Sequence, residues 1–452
     1  MEMHDRPIIL EDNRESRELS DNEANKLLRY AGCGLKKLCL DNPSLLLFPD
    51  SLGGLGDDIN EPLYSIVEKK LWTGNIVGFW GVDGVNVRIH SRFDSDERQY
   101  FFHYMLQRIA GVNVFDLKTL PDPECVWDFL IYLFPMVLKR AVRQGIFRTY
   151  RVFRYNNDRV KWTINVPQFI RHDVPFAGRV AYVAREHTAN NYLLQLVRHT
   201  IEFIRRTAPI LLSVDSEMRQ AVDTVVQVTP DYAEQSRNRV IAANLRPVRH
   251  PFYSAYFELQ KLCLQILRHE KLSFGESDGS ICGVVFDVAW LWEEYLHSIF
   301  KSDSRWNGMV HPQNKRKTEP VYFYADHGQP HYPDFYDPTR EIIFDAKYKF
   351  DTGIERNDLL QMVSYIHVLE YRAGVFLKPD PDKTVYREDG ILATSRGETI
   401  GVVKLKIPKV DAAGGYRDFA SLLSVEEQLF HNEVMRCIMT LGETLHSRGQ
   451  GA

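Results

Sequence analysis

The stretch Tyr332-Pro333-Asp334-Phe335-Tyr336-Asp337-Pro338-Thr339-Arg340-Glu341-Ile342-Ile343-Phe344-Asp345-Ala346-Lys347-Tyr348-Lys349 combines a turn, an apolar run and two spaced carboxylates. Asp337-Pro338 makes a natural turn, and Ile342–Phe344 begins a buried strand. The reading is a strand ending near Asp334, a tight turn, and a second strand through Asp345. Side chains alternate along a strand, so Asp345 and Lys347 share a face while Ala346 points away. An ionisable pair at the end of an apolar strand is either a structural ion pair or a seat for a metal and a water. Pro-Asp recurs at Pro49-Asp50, Pro121-Asp122, Pro230-Asp231 and Pro379-Asp380, and Asp-x-Lys at Asp116–Lys118. Only at 333–347 do the two combine across a turn.

Two flanking segments extend this pattern. Val284–Leu296 is apolar at helical spacing and carries the adjacent carboxylates Glu293 and Glu294. Downstream, Asn357–Tyr365 opens a helix on which Gln361 and Tyr365, four apart, share a face. Hard divalent ions prefer carboxylate and carbonyl oxygens and keep several waters. Asp334 and Asp345 from neighbouring strands suit one such ion, magnesium or alternatively manganese, with the backbone carbonyl of Ala346 as a further ligand. Glu293 would complete the acidic site, Lys347 would orient the attacking water, and Gln361 and Tyr365 would support the site or meet substrate. Phosphodiester hydrolysis is the chemistry that needs this set.

The rest of the chain bounds the answer. At 452 residues, 44% hydrophobic and 26% charged, it is an ordinary globular composition of two or three domains. No window approaches a membrane span, and the polar N-terminus lacks the apolar core of a signal peptide, so a cytoplasmic protein is expected. The net charge of −4 argues for a local or shared grip on any nucleic acid. Cys33, Cys39, Cys125, Cys263, Cys282 and Cys437 form no Cys-x-x-Cys pair and read as buried thiols. Residues 1–25 read as a loosely docked leader. Asn75–His90 reads as two strands around Asp83-Gly84, with Val85, Val87 and Ile89 on one face. Helices are expected at Tyr100–Ala110 and Val126–Gly145, and a strand pair at Thr149–Tyr155 and Val160–Val166. Residues 190–225 and 231–272 read as mostly helical. There is no Gly-x-x-x-x-Gly-Lys-Ser/Thr loop, so the chain is no P-loop motor.

Pro333-Asp334 … Asp345-Ala346-Lys347 resembles the PD-(D/E)xK nuclease motif, and Glu293 with Gln361-x-x-x-Tyr365 is similar to its RecB-like branch. The wider chain resembles McrC, the nuclease subunit family of McrBC-type modification-dependent restriction systems, especially its LlaJI/BsuMI-like relatives. Thr73–Phe79, Ser91-Arg92-Phe93, Phe101–Leu106, Arg198–Glu202 and Leu291–Leu296 carry that likeness, over about residues 60 to 380. It departs where the family has Val-x-Gly-x-Ile-Asp, for here Trp162 and Asn165 stand in the glycine and aspartate places.

The resemblance implies an α/β fold. A PD-(D/E)xK restriction-endonuclease-like domain (276–452) would follow a mixed α+β partner-docking domain (1–166) and a helical connector (167–275). It implies a magnesium-dependent deoxyribonuclease acting on double-stranded DNA, activated by an AAA+ GTPase subunit of McrB type. The rivals are a motor-independent repair or effector nuclease, and a non-catalytic adaptor that stimulates a GTPase. Lesser candidates are Lys315-Arg316-Lys317 against phosphates, His327 and His331 beside the acidic site, and Arg88 or Arg92 toward the partner.

Overall fold

The computed structural model describes residues 7–42, 45–48, 62–94, 98–109, 130–248, 250–268, 281–312, 320–324, 326, 330–349, 353–393, 397–410 and 414–448. Cys125, Lys315-Arg316-Lys317 and His327 lie outside them. The chain makes two compact units, one of residues 1–132 with 272–452, the other of 133–271. The expected N-terminal and C-terminal domains share one unit, the boundary expected at 166 falls within the other, and that expected at 275 lies four residues past its end. The reason is strand Cys282–Asp287, which pairs with Ile76–Val82 on one side and Leu45–Phe48 on the other. A sheet begun by the first hundred residues is therefore finished from beyond the 133–271 insertion.

That sheet has the order Ile8–Glu11, Val85–His90, Ile76–Val82, Cys282–Asp287, Leu45–Phe48. Its central hairpin turns at Asp83-Gly84, both at positive φ, as a two-residue turn requires. Val85, Val87 and Ile89 are buried on one face, as the alternation predicts. The expected leader is partly built in: Ile8 and Leu10 are buried in a strand parallel to Val85–His90, because three consecutive aliphatic residues suit a sheet edge covered on one side. Val284–Asp287 is strand rather than helix. A short apolar run reads equally as either, and here the helix starts only at Val288, with Asp287 accepting from the amides of Ala289 and Trp290 as N-cap.

The second sheet of this unit orders Phe335–Asp337, Ile342–Ala346, Ala373–Asp380, Thr399–Lys406, Val385–Ile391. The first two strands form an antiparallel hairpin, so Asp334 precedes its strand instead of ending it. Buried Asp337 fixes the turn by accepting from the amides of Thr339 and Arg340 and pairing with the Arg340 guanidinium. Ile342–Ala346 then pairs in parallel with Ala373–Asp380, and the helix Arg356–Leu369 makes the crossover that parallel pairing needs. Helices Tyr100–Ile109, Val288–Lys301 and Tyr416–Arg448 meet through buried Glu427, which accepts from the Tyr295 hydroxyl at 2.8 Å and faces Arg108 at 3.4 Å.

In the 133–271 unit, Thr149–Asn157 pairs with Val180–Thr188, and only Thr163–Ile164 of the expected second strand is extended. Its partner is also Val180–Thr188, so the two expected strands flank a third and do not touch each other. Asn165 caps the next helix by accepting from the amide of Gln168, an oxygen-acceptor role that asparagine and aspartate share. Helices Tyr192–Thr207, Ser216–Val228 and Ser254–Arg268 follow, with Cys263 fully buried among them.

Gly78 and Gly283 face each other's strands at positive φ. A Cβ on Gly283 would lie 2.3 Å from the Phe79 carbonyl oxygen and 2.5 Å from Trp80 Cα. Gly283→Ala is expected to destabilise the fold by roughly 3 kcal/mol, seen as a lower denaturation midpoint; an unchanged midpoint would mean the strands separate freely there.

Candidate active site

The hairpin delivers the two carboxylates to one place. Asp334 enters just before Phe335–Asp337, and its Oδ2 accepts from the amide of Ala346 at 2.7 Å across the strands. Asp345, one residue earlier on the second strand, is buried, and its Oδ2 lies 3.0 Å from Lys347 Nζ. Lys347 leaves the strand after donating its amide to the Leu377 carbonyl at 2.9 Å. Its ammonium also faces Gln361 Oε1 at 3.4 Å and Asp358 Oδ1 at 3.6 Å. Gln361 in turn donates to the Tyr365 hydroxyl at 3.5 Å, so the expected pair does share a helix face, with Tyr365 sunk in the core beneath it.

Glu293 comes from the second turn of Val288–Lys301 and reaches the same neighbourhood through His311. The Nδ1 of His311 donates to the Asp334 carbonyl at 2.7 Å and lies 3.5 Å from Glu293 Oε1. Its ring stacks on Phe335, with centroids 4.6 Å apart. Reciprocal backbone hydrogen bonds between Val310 and Tyr336 hold that histidine at the hairpin.

The electrostatics record the crowding. Burial, then the charge of Asp345, pushes the Asp334 carboxyl up to about 7. Burial also raises Asp345, with Lys347 opposing. Glu293 rises well above the carboxylate range through burial, then through Asp334, Glu294 and Asp345. Burial alone would lower Lys347, yet Asp345 and Asp334 hold it above its ordinary value, so it stays an ammonium. Burial is the largest cause at all three carboxyls, and neighbouring carboxylates add to it at Asp334 and Glu293.

Among the described residues no three His, Cys, Asp or Glu side chains close a metal site by themselves. The donors available are Asp334, the buried Oδ2 of Asp345 and the Ala346 carbonyl, all hard oxygens. That set fits an ion that keeps most of its own waters better than one caged by protein, which is the habit of magnesium.

Two members of the site escaped the sequence reading. Asp358 bridges Lys347 and Lys349, lying 2.9 Å from Lys349 Nζ, and its place three residues before Gln361 on one helix was a usable signal. His311 sits in a loop 23 residues before Asp334 in sequence, with no pattern to mark it. Of the lesser candidates, His331 stacks on Phe323, with centroids 4.1 Å apart. Arg92 does not project outward. It is bound by buried Asp12 through its amide and guanidinium, and donates to Asn75 Oδ1 at 2.6 Å.

No helix among the described residues is long and apolar enough to cross a membrane. No curated protein matches the chain. Similar solved structures include the following two. One is a refined half-complex from a tetradecameric assembly of Thermococcus gammatolerans McrB AAA+ hexamers with bound McrC. Identity is 16%, with 96% of this chain and 100% of that chain covered and a TM-score of 0.48. The other is a cryo-EM structure of the Thermococcus gammatolerans McrBC complex. There identity is 16%, coverage 66% and 87%, and the TM-score 0.30. The family model for the McrBC 5-methylcytosine restriction system component matches residues 71–377. Because that match spans more than half of the chain, the protein belongs to the McrBC family.

Proposed function

We propose that this chain is the nuclease subunit of a GTP-dependent, modification-dependent restriction system, with a PD-(D/E)xK site that hydrolyses phosphodiesters of double-stranded DNA. The observation that carries the reading is the meeting of Asp334, Asp345 and the Lys347 ammonium on one hairpin. A magnesium ion, or manganese in its place, would be held by Asp334, Asp345 and the Ala346 carbonyl, with Glu293 as the third acidic group. When bound it supplies Lewis acidity to the phosphate and acidifies a water. Lys347, kept protonated by its carboxylate neighbours, offsets charge that builds on the phosphate oxygens and orients the attacking water. Gln361 and Asp358 hold that ammonium in place, and buried Tyr365 seats Gln361.

The activating partner in this reading is an AAA+ GTPase subunit of McrB type, a protein that the solved complexes pair with McrC. Within the expected docking region 1–166, Tyr150, Val152, Trp162 and Ile164 present large apolar side chains to solvent. These supply the apolar area that a protein contact needs. Trp162→Asp is expected to abolish partner-dependent cleavage while leaving the melting temperature unchanged, compared in parallel by plasmid assay and calorimetry.

The primary test is plasmid cleavage by the purified chain with magnesium, with and without the AAA+ protein and GTP. Cleavage is expected only in the full mixture. Asp345→Ala should lower it on the order of a thousandfold and Lys347→Ala on the order of a hundredfold. Cutting by the chain alone favours the motor-independent nuclease. Full restriction by Asp345→Ala favours the adaptor.

The raised carboxyls also fix a pH dependence. With Asp334 near 7 in the folded metal-free chain and a lower value when unfolded, the folded state binds more protons between those values. Metal-free stability should therefore fall as pH rises from 5 to 8. Magnesium should bind more tightly at pH 8 than at pH 6 and release protons on binding. Calorimetry in buffers of different ionisation heat reads the release, and a melting temperature that climbs with pH contradicts the scheme.

A further inference from the structure

The segment Ser91-Arg92-Phe93 follows strand Val85–His90, far in sequence from every residue of the candidate site. All three of its side chains converge on Tyr348, the residue after Lys347. The Ser91 hydroxyl lies 2.5 Å from the Tyr348 hydroxyl, with both groups buried. Ser91 Oγ also accepts from the amide of Phe93 at 3.0 Å, which fixes its direction. The Phe93 ring meets the Tyr348 ring edge-on, with centroids 4.8 Å apart and planes at 68°. The Arg92 guanidinium lies 5.4 Å from the centre of the same ring, and Asp12 and Asn75 anchor it. A hydroxyl pair, an aromatic edge and a cation thus grip one side chain.

What Tyr348 touches on its other side gives the grip its consequence. Trp292, the residue before Glu293, packs against it with ring centroids 6.3 Å apart. The Trp292 indole donates to the Leu377 carbonyl at 3.2 Å, the same oxygen that takes the Lys347 amide at 2.9 Å. Lys347 and the residue before Glu293 are therefore tied to one buried oxygen, and the Tyr348 ring packs on that same Trp292.

We propose that Tyr348, gripped by Ser91-Arg92-Phe93 of the first sheet, is a positioning residue that sets Lys347 and Glu293 relative to each other in the proposed nuclease centre. The inference rests on the nuclease reading above for its consequence in rate, though not for its structural content. The first sheet thereby acts on the catalytic strand through these side chains. A shift of about 1 Å in a group that orients a nucleophile costs on the order of a hundredfold in rate, so removing one hydrogen bond of the grip is enough to be seen.

The test uses the full chain with its AAA+ partner, GTP and magnesium, and compares Ser91→Ala, Tyr348→Phe and the pair. Each single change is expected to lower the single-turnover cleavage rate about tenfold or more, with DNA affinity within about twofold of the parent. The pair should lose no more than Ser91→Ala alone, because that change already removes the hydroxyl pair along with the acceptor of the Phe93 amide. Hydrogen–deuterium exchange of residues 342–349 should rise in each variant while that of residues 76–82 stays fixed. This arm needs no activity. Unchanged exchange over 342–349 overturns the proposal, as do rate losses that merely track the fraction of folded protein or that multiply in the pair. Asp345→Ala runs alongside: if it cuts at full rate the nuclease reading fails, and the exchange arm still decides the grip. Should Tyr348→Phe not fold, Phe93→Leu, which keeps the hydroxyl pair and removes only the edge-on ring, must show the same rise in exchange.

Discussion

The Leu377 carbonyl is the point on which the candidate site depends. It sits on the strand Ala373–Asp380 and receives both the Lys347 amide and the Trp292 indole. One of those donors continues the parallel ladder by a residue beyond Ala346. The other comes from the helix that carries Glu293. A buried carbonyl has two lone pairs, and leaving either donor unpaired in this apolar setting would cost about 1–3 kcal/mol. The shared oxygen therefore fixes a strand end and a helix face at once, and the acidic groups inherit that fixed distance.

Charge is arranged in the opposite spirit. Burial raises Asp334, Asp345 and Glu293 alike; Asp345 adds to it at Asp334, and both aspartates add to it at Glu293. Such a cluster works against the stability of the metal-free fold. Lys347 offsets part of it directly, and Lys349, held by Asp358 and Glu355, adds positive charge at the rim. His311 contributes differently, by holding the Asp334 backbone with its Nδ1–H. The apolar surroundings raise the cost of that charge locally, while the burial of the same side chains stabilises the fold as a whole. Phe300, Phe335, Phe344 and Trp292 are all buried within or beside the hairpin.

The chain reaches this arrangement by an unusual route along its length. The first sheet takes strands from residues 8–90 and closes with Cys282–Asp287, so the whole 133–271 unit interrupts it. Gly78 and Gly283 permit that closure, since a side chain at Gly283 would strike the backbone of Phe79 and Trp80. The strand Cys282–Asp287 then leads without a loop into the helix of Glu293, capped by Asp287. Closure of the first sheet and delivery of an acidic residue to the second are thus consecutive events in one segment.

Sequence by itself determined the local pieces. Asp-Pro marked the hairpin turn, alternation marked the buried face of Val85–His90, and the four-residue spacing of Gln361 and Tyr365 survived as a contact. These are properties of a few neighbouring residues, and short-range geometry dictates them. Tertiary structure decided what depends on burial and on distant partners. Val284–Phe286 is strand because a sheet flanks it on both sides, and Ile8–Leu10 is ordered because Val85–His90 offers it an edge. The expected strand at 160–166 yielded its pairing to Val180–Thr188. His311 and the grip of Ser91 on Tyr348 join residues brought together only by the packed chain. Their side chains carry no local periodicity, so the contacts that give them meaning exist only after the sheets have formed.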